Sequence, residues 1–456
     1  MNRIRLRLST KIFVGPLTKY FKSRYDVRGS CTHIPKIVMN NGNEMPILGL
    51  GTWGATKDYA IIENVHVDEV SDKGRTKPNE MEAVVANAID VGFRHIDTAP
   101  LHKNEKEIGV ALNKQIQEKK VQRDELFIVS KLWNTFHGPD DVLCGCKESL
   151  EKLGLDYLDM YLMHTPMGFK PGDDLFPIKK GKVSFSDADY VCTWQAMEDL
   201  VKQDLCRNIG ISNFNIKQIE RLLKQATIIP QTHQIEAHPY LMQKELISFC
   251  KYNDICITAY APLGSPARPW AGKDTKNILL KNSTVLDIAM RHKKTPAQIL
   301  LRYQIQLGHA AIPKSGTCEN MQNNFDIFEF ELHPEDMQNL DSLDYGMRLF
   351  KFSGYLLLTP QVPSPKNGIS MPLFNSTVLA CPARRGPHIA TILCSDKLET
   401  VTNGHCDADY FWILNASFTT RNMILEKFKI NGKIKKKQNI VHKKNAKQIK
   451  LTTGDK

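Results

Sequence analysis

Eight short apolar runs alternate with amphipathic helical patterns along this chain, and that alternation constrains its fold more than any other feature. The runs are LGLGT (48–52), RHIDTA (94–99), LFIVSKL (126–132), LDMYLMH (158–164), NIGISN (208–213), THQIEAH (232–238), ICITAYAPL (255–263) and HAAIPKS (309–315). Between them, EMEAVVANAIDVG (80–92), DDVLCGCKESLEKLG (140–154), VCTWQAMEDLVKQD (191–204) and IKQIERLLKQA (216–226) place apolar residues three and four apart on one face. Strands that are apolar on both faces need helices to cover them, so eight such units predict an α/β fold, a (β/α)₈ TIM barrel. Ahead of them, KIVMNNGNEMPIL reads as an N-terminal β-hairpin around an Asn/Gly turn, placed to plug the lower end of the barrel. A doubly wound open sheet is the competing arrangement, but GLGTWG opens no immediate helix and lacks the glycine fingerprint that fold requires.

The charge is unevenly spread. Of a net +12, residues 1–30 carry eight Lys or Arg against Asp26, and residues 427–450 carry ten Lys and no acid. The body between them is mildly acidic, so the basic ends read as tails. Neither a motif nor interleaved aromatics accompany the lysines, so no nucleic-acid partner is expected. No run of about 18 apolar residues offers a membrane span. Eleven Cys without paired spacing fit a reducing compartment, and Cys144 and Cys146, one residue apart, match neither redox nor zinc spacing. Three segments follow: a basic N-terminal extension (1–35), the barrel (36–350) and a C-terminal extension (351–456) expected to be largely disordered. The first of these is Arg-rich and acid-poor, compatible with mitochondrial targeting as well as with a plain unstructured extension. Residues 55–78 read as a long polar loop on the upper rim.

In such a barrel chemistry sits at the C-terminal ends of the strands. That rule selects Asp97, Lys131 and His164, with His102 on the loop after the second strand. An acid keeps a neighbouring Lys protonated, and the Lys⁺ lowers the pKa of a nearby donor, which readies a weak acid to protonate a carbonyl oxygen. No cluster of His and carboxylate ligands gathers at the strand ends, so no metal is expected.

The stretches MPILGLGTW, GFRHIDTA, NEKEIG, LFIVSKLW, LGLDYLDMYLMH, GISNF, QIEAHPYL, APLGSPARPW and AAIPKSGT occur in order, and with them residues 36–350 resemble the aldo-keto reductase family, in particular its aldose reductase-like members. The resemblance implies an NADPH-dependent (β/α)₈ reductase of aldehydes or ketones, without a Rossmann domain. In the family a Tyr assisted by Lys and Asp protonates the carbonyl oxygen while a His orients the substrate. Asp97, Lys131 and His164 match three of these. The Tyr position is held by His102, in DTAPLHKNE.

The resemblance further implies a cofactor site of Thr52, Trp53, Asp97, Ser212, Asn213, Gln234, Tyr260, Leu263, Gly264, Ser265, Lys314, Ser315, Thr317 and Asn324. Within it, Ser212, Asn213 and Gln234 match the grip on the nicotinamide carboxamide, and Tyr260 the ring stacked on the nicotinamide. Leu263, Gly264 and Ser265 match the pyrophosphate loop, and Lys314, Ser315 and Thr317 the clamp on the 2′-phosphate. Trp53, Trp133, His164 and Phe176 match the substrate pocket. Departures at the cofactor site are Asn320 for an Arg, Asn323 for a Glu, Ala267 for an Asp and Gly54 for a Lys, which weaken the expected preference for NADPH over NADH; in the substrate pocket Thr165 stands for a Trp. Residues after Phe350, where the family sets its specificity, lose the resemblance.

A neutral imidazole is a far weaker acid than a phenol, so His102 has to be protonated before it can donate. The Lys131 ammonium opposes that charge and pushes the imidazole below its usual pKa of about 6.5. Imidazole is also shorter, by about an ångström, and misplacement on that scale costs ~10²-fold. Two readings follow: a carbonyl reductase with lowered or retuned activity, or an NADP(H)-binding homologue without turnover, acting as a sensor or interaction protein. The resemblance implies a cytosolic monomer acting on a small carbonyl substrate.

Overall fold

The computed structural model describes residues 34–54, 80–179, 182–266, 268 and 278–351, and the backbone of 391–394 and 397–400. The N-terminal extension up to residue 33, the 55–78 loop, Ala267 and most of the C-terminal extension lie outside the described residues.

The chain opens with the expected hairpin, β1 (Lys36–Val38) antiparallel to β2 (Glu44–Pro46), with Ile37 and Met45 turned into the core. Eight parallel strands then form one sheet: β3 (Gly49–Gly51), β4 (His95–Asp97), β5 (Phe127–Leu132), β6 (Met160–Met163), β9 (Ile209–Ser212), β10 (Thr232–Glu236), β11 (Cys256–Tyr260) and β12 (Ala310–Ala311). The seam between first and last strands is closed by Ala311 N donating to Ile47 O at 2.8 Å and Gly51 N to Pro313 O at 3.0 Å. Gly51 is required there, since a Cβ would come within 2.6 Å of Ile312 O. The sheet is thus a barrel, as expected. Every residue of β5, β6, β9 and β10 is buried, because side chains fill the interior on one face and meet helices on the other.

The helices begin and end where local chemistry allows. Asn215 and Gln218 exchange side-chain and backbone bonds, both at 2.9 Å, to open the helix Ile216–Leu223. After β11 stand two helices, Ser283–His292 and Pro296–Gln306, separated because Lys293 turns left-handed (φ 53°) and Thr295 caps a new start with Pro296 at its first position. A small antiparallel pair, β7 (Ile178–Lys179) and β8 (Lys182–Val183), follows β6 and was not foreseen. In the unit formed by Gly368–Lys456, β13 (Thr391–Cys394) pairs antiparallel with β14 (Lys397–Thr400).

The hairpin covers the end of the barrel opposite the site. Asn41 Nδ2 and Asn43 Nδ2 both donate to Asn208 Oδ1, at 2.7 and 2.9 Å, while Asn208 Nδ2 donates to Asp159 O at 2.6 Å. Asn208 stands just before β9 and so ties the plug to two strand starts. Asn208→Ala removes three hydrogen bonds at a buried position and should cost about 2–3 kcal/mol of stability, read as a lowered urea midpoint, with the opposite face unaffected.

Candidate active site

The C-terminal strand ends surround a cavity of about 230 Å³. Asp97 closes β4 and Lys131 lies in β5, and both are almost wholly buried. Lys131 Nζ donates to Asp97 Oδ1 at 2.7 Å and to Thr98 O at 2.8 Å. The other carboxylate oxygen, Oδ2, accepts from Gln234 Nε2 of β10 at 2.7 Å. The three strand-end residues and the loop residue His102 selected from sequence therefore meet, since His102 and His164 line the same cavity as the pair, with ring centroids 6.5 Å apart.

His102 ends a single 3₁₀ turn, Pro100–His102, with Lys103 turning left-handed behind it. Its Nδ1 lies 3.1 Å from Thr52 Oγ1. Asn104 Nδ2 reaches back to Thr52 O at 2.8 Å, so the loop is tied to the end of β3. Burial, then Lys131, His164 and Lys314, hold the His102 imidazole well below its usual pKa. His164 is lowered in the same way by burial, Lys131 and His137. In both rings the charged form is thereby disfavoured.

Ser212, Asn213, Gln234, Tyr260, Leu263, Ser265, Lys314 and Trp53 line the cavity as well. Asn213 adopts φ 62°, which Asn tolerates, and its amide donates to His164 O at 3.0 Å and Ser212 Oγ at 3.1 Å, while Tyr260 OH donates to Asn213 Oδ1 at 2.9 Å. Gly264 (φ 74°) and Ser265 (φ 40°) form a left-handed turn after Pro262. The remaining expected residues stand further out. Thr317 Oγ1 caps the helix Cys318–Phe325 by accepting from Asn320 N at 3.3 Å, Ser315 Oγ donates to Thr317 O at 3.4 Å, and Asn324 is buried on that helix. Trp133 and Phe176 pack edge to face at 5.4 Å, and Trp133 meets His164 at 5.2 Å. Thr165, in place of the family's Trp, donates to Asn134 Oδ1 at 2.9 Å and adds no wall.

Two residues escaped the sequence reading. The Phe350 ring stands edge-on to Trp53 and to Tyr260, at 5.5 Å from each, and lines the cavity. It is placed by Glu236, fully buried at the end of β10, whose carboxylate accepts from Leu349 N at 2.7 Å, Phe350 N at 3.1 Å and His238 Nε2 at 2.9 Å. The signal available was an acid closing a strand that is buried along its whole length. Among the described residues one group of potential metal ligands, His292, His333 and Asp336, also comes together. None of them lines the cavity, and Asp336 accepts from Arg291 at 2.5 Å and His292 at 2.7 Å as an ion-pair network.

A parallel eight-stranded barrel with a buried Asp–Lys pair and two histidines at its mouth defines the class as a TIM-barrel protein with an ionisable strand-end site. The profile of the Aldo/keto reductase family matches residues 47–345, and the chain belongs to that family. It is 42% identical over 314 residues to Aldo-keto reductase family 1 member A1-A of Danio rerio, covering 68% of this chain and 90% of that one. Aldo-keto reductase family 1 member A1 of Bos taurus is 41% identical over 314 residues, with 68% and 90% covered. The solved aldose reductase of Schistosoma japonicum superposes with a TM-score of 0.61 at 38% identity, over 70% of this chain and 96% of that one. Among the described residues no helix is long and apolar enough to cross a membrane.

Because Asp97 and Lys131 are out of water, removing one partner leaves the other charge uncompensated. Lys131→Met should cost about 3–5 kcal/mol in urea unfolding, and the double variant with Asp97→Asn should cost much less than the sum of the singles.

Proposed function

We propose that the barrel, residues 36–350, is a nicotinamide-dependent oxidoreductase that interconverts aldehydes or ketones and their alcohols, with NADPH as the reductant, working as a cytosolic monomer on small carbonyl compounds. The observation that carries this reading is the convergence of Asp97, Lys131, His102 and His164 on a cavity also lined by Ser212, Asn213, Gln234 and Tyr260. The donor set fits the cofactor. A hydroxyl and two side-chain amides suit a carboxamide, the Tyr260 ring suits a flat heterocycle, and Lys314 supplies a cation for a phosphate. When bound, the cofactor supplies the hydride chemistry.

The chain's own residues supply the rest. Trp53 and Phe350 give the pocket apolar walls, and His164 and His102 face the carbonyl group. Donation to its oxygen needs the imidazolium of His102, and burial together with Lys131 keeps that form scarce at pH 7. Since the folded pKa is lowered, the competent fraction is lost as pH rises through it, by about tenfold per unit above it. The same scarcity favours a second reading, an NADP(H)-binding protein without useful turnover that acts as a sensor or interaction partner.

Fluorescence titration with NADPH and NADH, followed by an aromatic aldehyde, separates the two. The first reading expects aldehyde-dependent NADPH oxidation that rises as pH falls, and a His102→Tyr variant about 10²- to 10⁴-fold faster at neutral pH. Tight binding without oxidation supports the second, and absence of binding sinks both. With Asn320 in place of the family's Arg, Lys314 carries more of the phosphate recognition. Lys314→Met should weaken NADPH about ten- to hundredfold and leave NADH nearly unchanged in the same titration.

A further inference from the structure

The imidazole in the Tyr position is held by a hydroxyl. Thr52 Oγ1 lies 2.9 Å from the main-chain carbonyl of Asp97 and 3.1 Å from His102 Nδ1. A carbonyl oxygen only accepts, so the single hydroxyl hydrogen of Thr52 belongs on Asp97 O. Turned toward Nδ1 instead, it would leave two oxygen lone pairs facing each other at 2.9 Å. With the hydrogen on Asp97 O, Thr52 Oγ1 presents lone pairs to Nδ1, and that nitrogen carries the ring hydrogen. Thr52 is fully buried, and the backbone around the chain of bonds is fixed: Thr52 N donates to Asp97 O at 3.1 Å and His102 N to Ala99 O at 2.9 Å.

Burial first, and then the groups that face the ring, disfavour its charged form. Lys131 on β5, His164 beyond β6 and Lys314 beyond β12 all oppose a positive charge on it. The carboxylate that would favour one, Asp97, is bonded through both oxygens to Lys131 and Gln234. In a neutral ring with hydrogen on Nδ1, Nε2 carries a lone pair. Nδ1 points to Thr52 and the ring lines the cavity, so Nε2 is the nitrogen on the cavity side.

Resting on the oxidoreductase reading above, we propose that Thr52 is a positioning residue that locks His102 as its Nδ1–H tautomer, and that His102 Nε2 accepts the proton of a substrate hydroxyl, so that the neutral site takes an alcohol together with the oxidised cofactor. The alcohol O–H bond breaks and its proton goes to Nε2. The adjacent C–H bond breaks with its electron pair, the hydride goes to the oxidised nicotinamide, and the C=O bond forms. The imidazolium, opposed by its neighbours, releases the proton to solvent. In the reverse direction the ring has first to take up that proton. The two directions therefore have different pH profiles: alcohol oxidation is flat above the imidazole pKa, and carbonyl reduction falls there about tenfold per unit. This is the relation that detailed balance demands of a reduction that consumes one proton.

The tautomer is read by ¹⁵N NMR of the full chain labelled at histidine, at about pH 7.5, with the His102 signals assigned by their loss in His102→Asn. The expected spectrum has Nδ1 protonated and Nε2 bare. Thr52→Ser should preserve it, and Thr52→Val should move His102 toward the Nε2–H form. A wild-type spectrum with Nε2 protonated, alone or together with Nδ1, overturns the proposal. In the kinetic arm, a benzylic alcohol is oxidised with NADP⁺ by the wild type and by His102→Tyr. The wild-type kcat/KM should be flat from about pH 7 to 9, whereas the Tyr variant, limited by a phenol of pKa about 10, should rise with pH. A wild-type profile that rises with pH, or no alcohol oxidation by a chain that binds NADP⁺, overturns the acceptor role. Failure to bind NADP(H) at all removes the oxidoreductase reading and the acceptor role that rests on it, while the spectrum still decides the tautomer.

Discussion

The ion pair between Asp97 and Lys131 is the interaction on which the upper half of this barrel depends. A carboxylate and an ammonium held away from water each cost several kcal/mol unless their remaining hydrogen-bonding capacity is met. It is met here by groups from distant parts of the chain. Lys131 also donates to Thr98 O, and Gln234, 137 residues further on, donates to the second oxygen of Asp97. The pair therefore braces β4 to β5 and, across the interior, to β10. It also sets the electrostatics of the mouth, because a cation pinned beside the cavity disfavours every other cation there.

That field suits a phenol, which it helps to lose or share a proton, and works against an imidazole, which it keeps uncharged. His102 sits in a frame made by its neighbours. The turn Pro100–His102, the Asn104 bond to Thr52 O and the Asp97 network all stand around it. On the reading proposed above, a neutral imidazole held in this frame takes up a proton more readily than it gives one.

Much of this was legible in the sequence, and the reasons are physical. The strands were visible because parallel strands buried on both faces read as continuous apolar runs, and Asp97, Lys131 and His164 because strand ends are where such barrels place reactive groups. What stayed hidden depended on contacts between distant residues or on weak local patterns. The Glu236 grip on Leu349 spans 113 residues. The pair β7 and β8 is short, lysine-rich and nearly without apolar alternation. The break between the helices Ser283–His292 and Pro296–Gln306 takes three residues, the left-handed Lys293 and the Thr295 cap with Pro296. The tautomer of His102 turns on a carbonyl whose role no residue type reveals, since every residue carries one.

Glu236 holds the end of the barrel through peptide N–H groups, at Leu349 and Phe350, and touches neither side chain by hydrogen bond. An anchor of that kind is indifferent to which amino acids it grasps. The location of the pocket's last wall is thereby separated from its chemistry: position 350 can be exchanged for a smaller, larger or polar residue while the strand end still delivers it to the same place. Such a barrel can diversify what it admits by substitution at one point, without any redesign of the frame.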